Sequence, residues 1–161
     1  MQKTGRLELT WVGKYDEPVV EPRIILEDKE KSYGNPMSEN MLIHGDNLIA
    51  LQALQQDFAG KIKCIYIDPP YNTGSAFEHY DDNLEHSIWL NMMKPRLVLL
   101  RNLLRDDGFM FVQIDDNEQA YLKVLLDEVF GRDCYVINTA IKYTKNHYEK
   151  REKNGIIRVW K

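Results

Sequence analysis

The chain has 161 residues, 43% of them hydrophobic and 29% charged, which is a composition typical of one globular domain with its own hydrophobic core. No apolar run approaches the roughly 18 residues that a membrane-spanning helix needs, and the first residues lack a signal-peptide core, so we expect a soluble cytoplasmic protein. The formal net charge of -4 argues against a protein that coats nucleic acid indiscriminately, but it leaves room for a local basic surface.

Residues 1–37 are predicted to form an N-terminal extension that carries no chemistry. A strand is predicted at Arg6–Val12, and the charged sequence after it contains Pro18, Pro22, Gly34 and Pro36. These residues favour an extended arm with little regular structure. We expect the arm to pack on a neighbouring molecule or on the flank of its own domain.

Residues 38–141 alternate between short apolar runs and segments in which apolar residues recur at helical spacing. Asp46 is placed to cap the first helix, Asp115 and Glu118 form a helix-start signal, and Pro95 is expected to break or kink the middle helix. The predicted elements are strand Met41–His44, helix Asn47–Phe58, strand Ile62–Ile67, helix Leu84–Leu104, turn Arg105–Gly108, strand Phe109–Ile114, a helix ending at Gly131, and strand Tyr135–Ile141.

This alternation predicts an α/β fold: a doubly wound, Rossmann-like sheet in which parallel pairing dominates and crossovers are right-handed. The strand Ile62–Ile67 is apolar enough to be covered on both faces, and Cys64 within it is predicted to be a small buried hydrophobe. Neither Cys64 nor Cys134 has a cysteine or histidine at zinc-ligand spacing, and the four histidines are scattered, so we predict no metal site.

Residues 142–161 form a basic tail. Seven lysines and arginines stand there against Glu149 and Glu152, interleaved with Tyr143, His147, Tyr148 and Trp160. Aromatic residues among basic ones are suited to a nucleic-acid backbone and its bases. A solvated, charged chain end explains the composition equally well, and both interpretations stay open.

The strand Ile62–Ile67 ends abruptly at Asp68-Pro69-Pro70-Tyr71. Each proline removes a backbone donor and restricts the residue before it to extended geometry, so Asp68 is held in a stiff segment at the carboxyl end of the strand. Open α/β sheets place their ligands at this end. The Asp68 carboxylate and the Tyr71 ring together suit a planar ligand that carries an amino group, although a rigid loop with no further role fits the tetrapeptide alone.

The exocyclic amine of a nucleobase is such a group, and it is a poor nucleophile because its lone pair is delocalised into the ring. If the Asp68 carboxylate and the Pro69 carbonyl accepted its two hydrogens, they would localise the lone pair for attack on an alkyl donor. A base inside a duplex must first be flipped out, at a cost of a few kcal/mol. Stacking on Tyr71 at roughly 1–3 kcal/mol per base would offset much of that cost.

Asp68-Pro69-Pro70-Tyr71, continued by Asn72-Thr73-Gly74-Ser75, resembles the catalytic motif of S-adenosylmethionine-dependent amino-methyltransferases that act on DNA. A wider set of segments is similar to the modification subunit of type III restriction-modification systems, and the similarity covers roughly residues 5 to 136. The segments are His44–Asn47, Phe77–Asp82, His86–Leu90, Ile114–Glu118 and Glu128–Arg132.

The resemblance implies an adenine N6-methyltransferase with a Rossmann-like methyltransferase sheet and S-adenosylmethionine as cofactor. It assigns catalysis to Asp68, Pro69, Pro70 and Tyr71, and an acidic position near the cofactor to Asp46. Cofactor contacts are predicted at Asn47, Asn72 and Thr73 as well, although for His44 and Asn47 a purely structural role is as good an interpretation. The implied partners are double-stranded DNA with a flipped adenine, a restriction subunit and, in the complete enzyme, a second modification chain in a dimer.

Two departures from the family pattern set limits. The family's Phe-x-Gly-x-Gly cofactor loop occurs nowhere in the chain, whose nine glycines are never closer than eight residues apart, and Ile141-Lys142-Tyr143 lacks an expected tryptophan. We therefore predict the N-terminal catalytic half of a longer methyltransferase, whose C-terminal cofactor-loop half is absent. Such a chain is a fragment, a split subunit or a truncated frame, and alone it should bind S-adenosylmethionine weakly or not at all.

Two alternatives remain. The first is methylation of cytosine N4, which has the same amine chemistry. Adenine is favoured because the motif of the cytosine enzymes more often resembles Ser-Pro-Pro-Tyr. Methylation of protein glutamine or of RNA amines is less favoured than either. The other alternative is a non-catalytic remnant that pairs only with restriction-modification subunits, through surfaces at Leu84–Leu104 and Tyr121–Phe130.

Overall fold

The computed structural model describes residues 8–16, 18–21, 23–35, 37–72, 85–142 and 154–160. Within these ranges no helix is long and apolar enough to cross a membrane. The helices are α1 (Asn47–Phe58), α2 (His86–Leu103), α3 (Asp116–Phe130) and a short 3-10 helix (Arg132–Cys134). The strands are β1 (Ile62–Ile67), β2 (Leu104–Ile114), β3 (Tyr135–Lys142) and β4 (Asn154–Trp160).

The described strands form one sheet in the order β1-β2-β4-β3. β1 and β2 pair in parallel, whereas β4 is antiparallel to both of its neighbours. β1, β2 and β3 therefore share one direction, as the α/β pattern predicts. The prediction that parallel pairing dominates is wrong for the described strands, because β4 returns in the opposite direction and inserts between β2 and β3.

The three helices lie close to their predicted bounds because their ends carry strong signals. The Asp46 carboxylate accepts the backbone N–H groups of Leu48 (2.8 Å) and Ile49 (3.3 Å) at the start of α1. Asp115 accepts the N–H of Asn117 at the start of α3, and Gly131 ends α3 with a φ of 95°. α2 does not break at Pro95, since its buried face continues on both sides of that residue.

The core lies between α2, α3 and the sheet. Its fully buried members come from all three elements and form one cluster. They include Trp89, Leu90 and Leu97 of α2, Met110, Val112 and Ile114 of β2, and Leu122, Leu125 and Leu126 of α3. Since α2 and α3 pack on each other as well as on the strands, the sheet edge that carries Asp68 is fixed from the helical side.

β1 is buried on one face only, and the prediction of burial on both faces is wrong. Ile65 is 8% exposed, but Cys64 is exposed and Tyr66 is 54% exposed, so Cys64 is not the buried hydrophobe that its sequence context predicts. The reason is topological: among the described strands β1 has β2 as its one neighbour, and the helices cover the Ile65 side.

Two predicted strands and one predicted turn are also corrected. Residues 8–12 and 41–44 have no strand structure, because apolar runs become strands only when a partner strand is available, and Leu42 is 99% exposed. The predicted turn Arg105–Gly108 lies inside β2 as an irregularity. Ile62 pairs with Leu104 and Cys64 with Phe109, so five steps along β2 face two steps along β1.

Residues 8–16 pack on the flank of the domain itself, which is one of the two arrangements expected for the N-terminal arm. The backbone N–H of Leu9 donates to Glu128 Oε1 at 2.9 Å, and the Trp11 indole donates to Asn91 Oδ1 at 2.6 Å. Lys14, 4% exposed, forms ion pairs with Glu128 (2.9 Å) and Glu8 (2.8 Å). Contacts with α2 and α3 therefore hold this short segment.

Candidate active site

The carboxyl end of β1 forms a corner that places one exposed acid among half-buried neighbours. Asp68 is exposed, whereas Pro69, Pro70 and Tyr71 are partly buried. The indole Nε1–H of Trp89, a side chain with 0% exposure, donates to the Pro70 carbonyl at 2.8 Å. The two prolines restrict the backbone of this corner, and the hydrogen bond from the fully buried Trp89 holds it against α2.

Tyr71 is tethered at its far end. Gln113, which is 7% exposed near the end of β2, donates from Nε2 to the Tyr71 hydroxyl. The other atom of the same amide, Oε1, accepts a hydrogen bond from the Tyr66 hydroxyl at 2.6 Å. Because β1 and β2 are parallel, with Ile67 opposite Val112, Gln113 lies where the two strands end together and can reach both phenols.

Asn72 leaves the corner in the left-handed backbone conformation, with a φ of 59°. Asparagine tolerates this region better than most residues with a side chain. Its Nδ2 donates to Glu118 Oε1 at 2.5 Å, and His86 Nδ1 lies 2.7 Å from the same oxygen. Glu118 has 0% exposure, and its second oxygen is buried without a hydrogen-bond partner among the described residues.

Asp46 and Asn47 belong to a second cluster, centred on Arg96. Arg96 Nε donates to Asn47 Oδ1 at 2.7 Å, and its Nη2 lies 4.0 Å from Asp46 Oδ1. Burial lowers the pKa of the Arg96 guanidinium, and the Asp46 carboxylate opposes that effect. Trp89 and Arg96 are seven residues apart in α2, so this cluster contacts the helix about 10 Å further along its axis than the corner does.

The structure therefore divides the predicted site residues between two clusters. Asp68, Pro69, Pro70, Tyr71 and Asn72 form the corner, while Asp46 and Asn47 join the start of α1 to α2. The bond from Arg96 favours the structural interpretation of Asn47. Thr73 lies outside the described residues, as does the segment Phe77–Asp82.

Four residues that hold the corner were not identified from the sequence: His86, Trp89, Gln113 and Glu118. His86 and Trp89 lie in the family-like segment His86–Leu90, and Glu118 belongs to a helix-start signal, but none of the three was predicted as a site residue. Two local signals were available. Gln113 is a polar residue inside the apolar run Phe109–Ile114, and Glu118 shares a helical face with Leu122 and Leu125. Buried polar side chains of that kind normally have a specific hydrogen-bond partner.

The corner offers two acceptors beside a flat aromatic face. The Asp68 carboxylate is open to solvent, and the peptide carbonyl of Pro69 follows it in the rigid segment. The Tyr71 ring is partly buried and held by its hydroxyl. Within the described part of the chain no three His, Cys, Asp or Glu side chains gather as metal ligands would. This arrangement suits hydrogen bonding to a planar ligand and does not itself provide a nucleophile–base pair.

Residues 62–160, more than half of the chain, match the model of the DNA methylase family (N6_N4_Mtase). The chain is 53% identical over 116 residues to a probable type III restriction-modification enzyme HindVI Mod subunit from Haemophilus influenzae, covering 72% of this chain and 15% of that protein. It is 39% identical over 156 residues to the type III StyLTI Mod subunit from Salmonella typhimurium, covering 80% and 23%.

A type II methyltransferase, M.EcaI from Enterobacter cloacae, is also similar. It is 39% identical over 148 residues, which cover 82% of this chain and 31% of M.EcaI. The chain spans less than a third of the length of these curated relatives.

Proposed function

The chain belongs to the DNA methylase family, and we propose that its corner at Asp68–Tyr71 is the catalytic corner of a site-specific DNA methyltransferase. The reaction is transfer of a methyl group from S-adenosylmethionine to the exocyclic N6 amine of an adenine flipped out of double-stranded DNA. The observation that carries the proposal is the exposed Asp68 carboxylate, joined to the tethered Tyr71 ring by the anchored Pro69-Pro70 segment.

The chain's own residues would act mainly by positioning. The Asp68 carboxylate and the Pro69 carbonyl accept the two hydrogens of the target amine, which localises the nitrogen lone pair and stabilises the positive charge that develops on nitrogen. The Pro70 carbonyl already accepts from Trp89, which leaves this role to the Pro69 carbonyl. The Tyr71 ring stacks on the flipped base, and the methylated nitrogen releases one proton as it returns to a neutral amine.

S-adenosylmethionine, when bound, supplies a methyl group on a positively charged sulfur. The polar side chains of Asp68, Asp46 and Asn72 offer some of the contacts that such a cofactor needs. Asp68 places an exposed carboxylate at the strand end where a cation is favoured, and Asp46, 56% exposed, suits a hydroxyl or amino group. Asn72 lies in the corner itself, whereas the side-chain oxygen of Asn47 accepts from Arg96. We therefore assign cofactor contacts to Asp46 and Asn72, with Thr73 as a further expected contact.

Cytosine N4 is the second candidate acceptor, because the amine chemistry at Asp68 is the same. Adenine is preferred on the Asp-Pro-Pro-Tyr sequence at residues 68–71, since cytosine enzymes more often resemble Ser-Pro-Pro-Tyr. Two of the relatives reported above are named as type III Mod subunits. This supports a modification role in a restriction-modification system with a restriction subunit as partner, and we propose a second modification chain on the family resemblance alone.

A methylation assay with the full-length protein tests the proposal. One set of duplexes has a strand with adenine but no cytosine, and a second set has a strand with cytosine but no adenine. Both sets are incubated with radiolabelled S-adenosylmethionine. The DNA is then digested, and the nucleosides are separated. We expect label in N6-methyladenine. Label in N4-methylcytosine would establish the second candidate instead. Absence of label in every duplex of a random-sequence pool, with a folded protein, would favour the non-catalytic remnant.

A further inference from the structure

Gln113 connects the strand next to β1 with the aromatic face of the corner. It lies near the end of β2, is 7% exposed, and its two neighbours in that strand, Val112 and Ile114, are fully buried. A buried side-chain amide is costly unless its oxygen and nitrogen are paired. Here both are paired, and each partner is a tyrosine of the segment that leads into the corner.

The two hydrogen bonds give the amide a defined orientation. Tyr66 donates to Gln113 Oε1 at 2.6 Å, so the carbonyl side of the amide faces Tyr66. The NH2 side then faces Tyr71 and donates to its hydroxyl oxygen. The structure places the amide oxygen toward Tyr66 and the amide nitrogen toward Tyr71, so one side chain links the two hydroxyls.

From this arrangement we propose that Gln113 is a positioning residue for methyl transfer, acting through the Tyr71 hydroxyl to hold the ring in the plane that receives the flipped base. This inference rests on the proposed function. The two prolines stiffen the backbone that leads to Tyr71, and the hydroxyl tether restricts the far end of its side chain. A ring held at both ends loses little rotational freedom when a base stacks on it.

A double-mutant cycle in the full-length protein tests whether Gln113 acts through Tyr71. We expect Gln113→Leu to lower kcat/KM for DNA by roughly 3- to 10-fold, which is the effect of one lost hydrogen bond. Tyr71→Phe should lower it by a similar factor. In the double variant the two effects should not multiply, because either change alone removes the same tether. A double variant whose loss equals the product of the two single losses would overturn the proposal.

The control for the chemical change is Gln55→Leu. Gln55 lies in α1, and its amide donates to the backbone carbonyls of Leu51 (2.9 Å) and Leu99 (3.2 Å), away from the corner. Any effect of Gln55→Leu on kcat/KM should be the same in the Tyr71→Phe background as in the wild type. The effect of Gln55→Leu on kcat/KM could instead depend on the Tyr71 hydroxyl as strongly as the effect of Gln113→Leu does. Loss of a glutamine amide would then act through general destabilisation, and the proposal would fail.

A readout independent of catalysis separates this proposal from the proposed function. Protein labelled with carbon-13 at the ζ carbon of tyrosine gives one NMR signal per ring, and Tyr71→Phe identifies the signal of Tyr71. We expect Gln113→Leu to move that signal and Gln55→Leu to leave it in place. If the wild-type protein methylates no duplex but Gln113→Leu moves the Tyr71 signal, the proposed function fails and the hydrogen bond from Gln113 to Tyr71 is confirmed. If Gln113→Leu leaves the Tyr71 signal in place, the positioning role of Gln113 is overturned, whatever the activity.

Tyr66→Phe covers the case in which Gln113→Leu does not fold. Tyr66 is 54% exposed, so its hydroxyl can be removed without opening the core. The released amide is expected to move the Tyr71 signal and to lower kcat/KM by less than Gln113→Leu does. If the Tyr71 signal and the rate both stay at their wild-type values in Tyr66→Phe, Gln113 is not oriented as the structure indicates, and the proposal is overturned.

Discussion

Asp68 differs from its neighbours in the corner because it is exposed, whereas they are partly buried. Its carboxylate is therefore available to a ligand without a large structural rearrangement. The rigidity of the corner comes from other residues, since the two prolines restrict the backbone and Trp89 holds the Pro70 carbonyl. Function and stability are thus carried by different side chains, and substitutions should separate them.

Asp68→Ala should abolish most of the methyl transfer and leave the fold intact. Removing one preorganised partner of developing charge typically lowers kcat by about 10²- to 10³-fold. The free energy of unfolding should change by less than about 0.5 kcal/mol, because the side chain is exposed. Turnover by the full-length enzyme and urea denaturation measure the two effects. Asp57→Ala, at an exposed position of α1, is the matched control, and an Asp68→Ala enzyme that keeps most of its rate would exclude the assignment.

Trp89→Phe should have the opposite profile, a loss of stability first. The variant keeps an aromatic ring in the core but removes the N–H that donates to the partly buried Pro70 carbonyl, and the loss of such a hydrogen bond costs about 0.5–1.5 kcal/mol. Urea denaturation measures the loss. Trp11→Phe is the control, because its indole bond to Asn91 is exposed to water, which can replace it. Equal losses in the two variants would contradict the anchoring role of Trp89.

At the scale of residues, the sequence predicts the stiff segment Asp68–Tyr71 but not the residues that hold it. Asp68–Tyr71 form a contiguous motif whose prolines have local conformational consequences. Gln113 and Glu118 are more than 40 residues from Tyr71 and Asn72, and their contacts depend on which strands become neighbours. Local periodicity does not predict which strands become neighbours. A polar residue within an apolar run indicates only that its side chain needs a specific hydrogen-bond partner.

Among the elements, the N-terminal arm depends on a tight approach at Gly13. Gly13 has a φ of 84°, and a Cβ built on it would lie 2.5 Å from Asn91 Nδ2, the group that donates to the Val12 carbonyl. Gly13→Ala should therefore lower the free energy of unfolding by about 1–3 kcal/mol through backbone strain and the displaced Asn91 side chain.

Gly34→Ala is the matched control for Gly13→Ala. Gly34 has a φ of 96°, but nothing lies within 4 Å of a Cβ built there. The two variants share the unfavourable backbone conformation, so the difference between their urea midpoints isolates the contact with Asn91. If both variants lose the same stability, residues 8–16 are not held against α2 as the structure shows.

Alkaline pH should detach the same arm. Burial lowers the pKa of Lys14, but its hydrogen bonds to the Glu8 and Glu128 carboxylates outweigh that effect, so the pKa is raised overall. The hydrogen bond to Glu8 likewise raises the pKa of Tyr15. A folded-state pKa above the unfolded value adds stability that is present below the unfolded pKa and is lost as pH rises through the folded one.

For Lys14 that loss begins above about pH 10.4, the ordinary lysine value. We expect hydrogen exchange in residues 8–16 to accelerate above this pH relative to the core of α3, after correction for the intrinsic pH dependence of exchange. Lys31→Met, which removes an ion pair that is 86% exposed on the lysine side, should leave this profile unchanged. Lys14→Met should remove the Lys14 transition, and a transition that persists in that variant would refute the assignment.

Elements with marked ends were predicted well, and strands without a partner were not. Asp46, Asp115 and Gly131 act locally, so they placed the helix ends within a few residues. A strand needs a neighbour, and the apolar run Met41–His44 has none among the described elements. β4 is not predicted, because the many charges of residues 142–161 mask the short run Gly155–Trp160, in which Arg158 is the one charged residue.

On the scale of the whole molecule, the chain carries the proposed catalytic corner, and its sequence contains no Phe-x-Gly-x-Gly loop. Asp46 and Asn72 alone offer few contacts to a cofactor of that size. We expect isothermal titration of the 161-residue chain with S-adenosylmethionine to show no binding in the micromolar range, whereas a full-length protein that contains the loop should bind. Micromolar binding by the 161-residue chain would show that the glycine loop is not needed for affinity.

The strand order β1-β2-β4-β3 also bears on how the chain is made. In the described sheet β3 pairs with β4 and not with β2, so residues 135–142 have no sheet partner until residues 154–160 have been synthesised. At roughly 5–20 residues per second, that leaves β3 waiting on the ribosome for about one to four seconds. During this interval β2 is the one described strand beside β1, and the described sheet is complete only once β4 lies between β2 and β3.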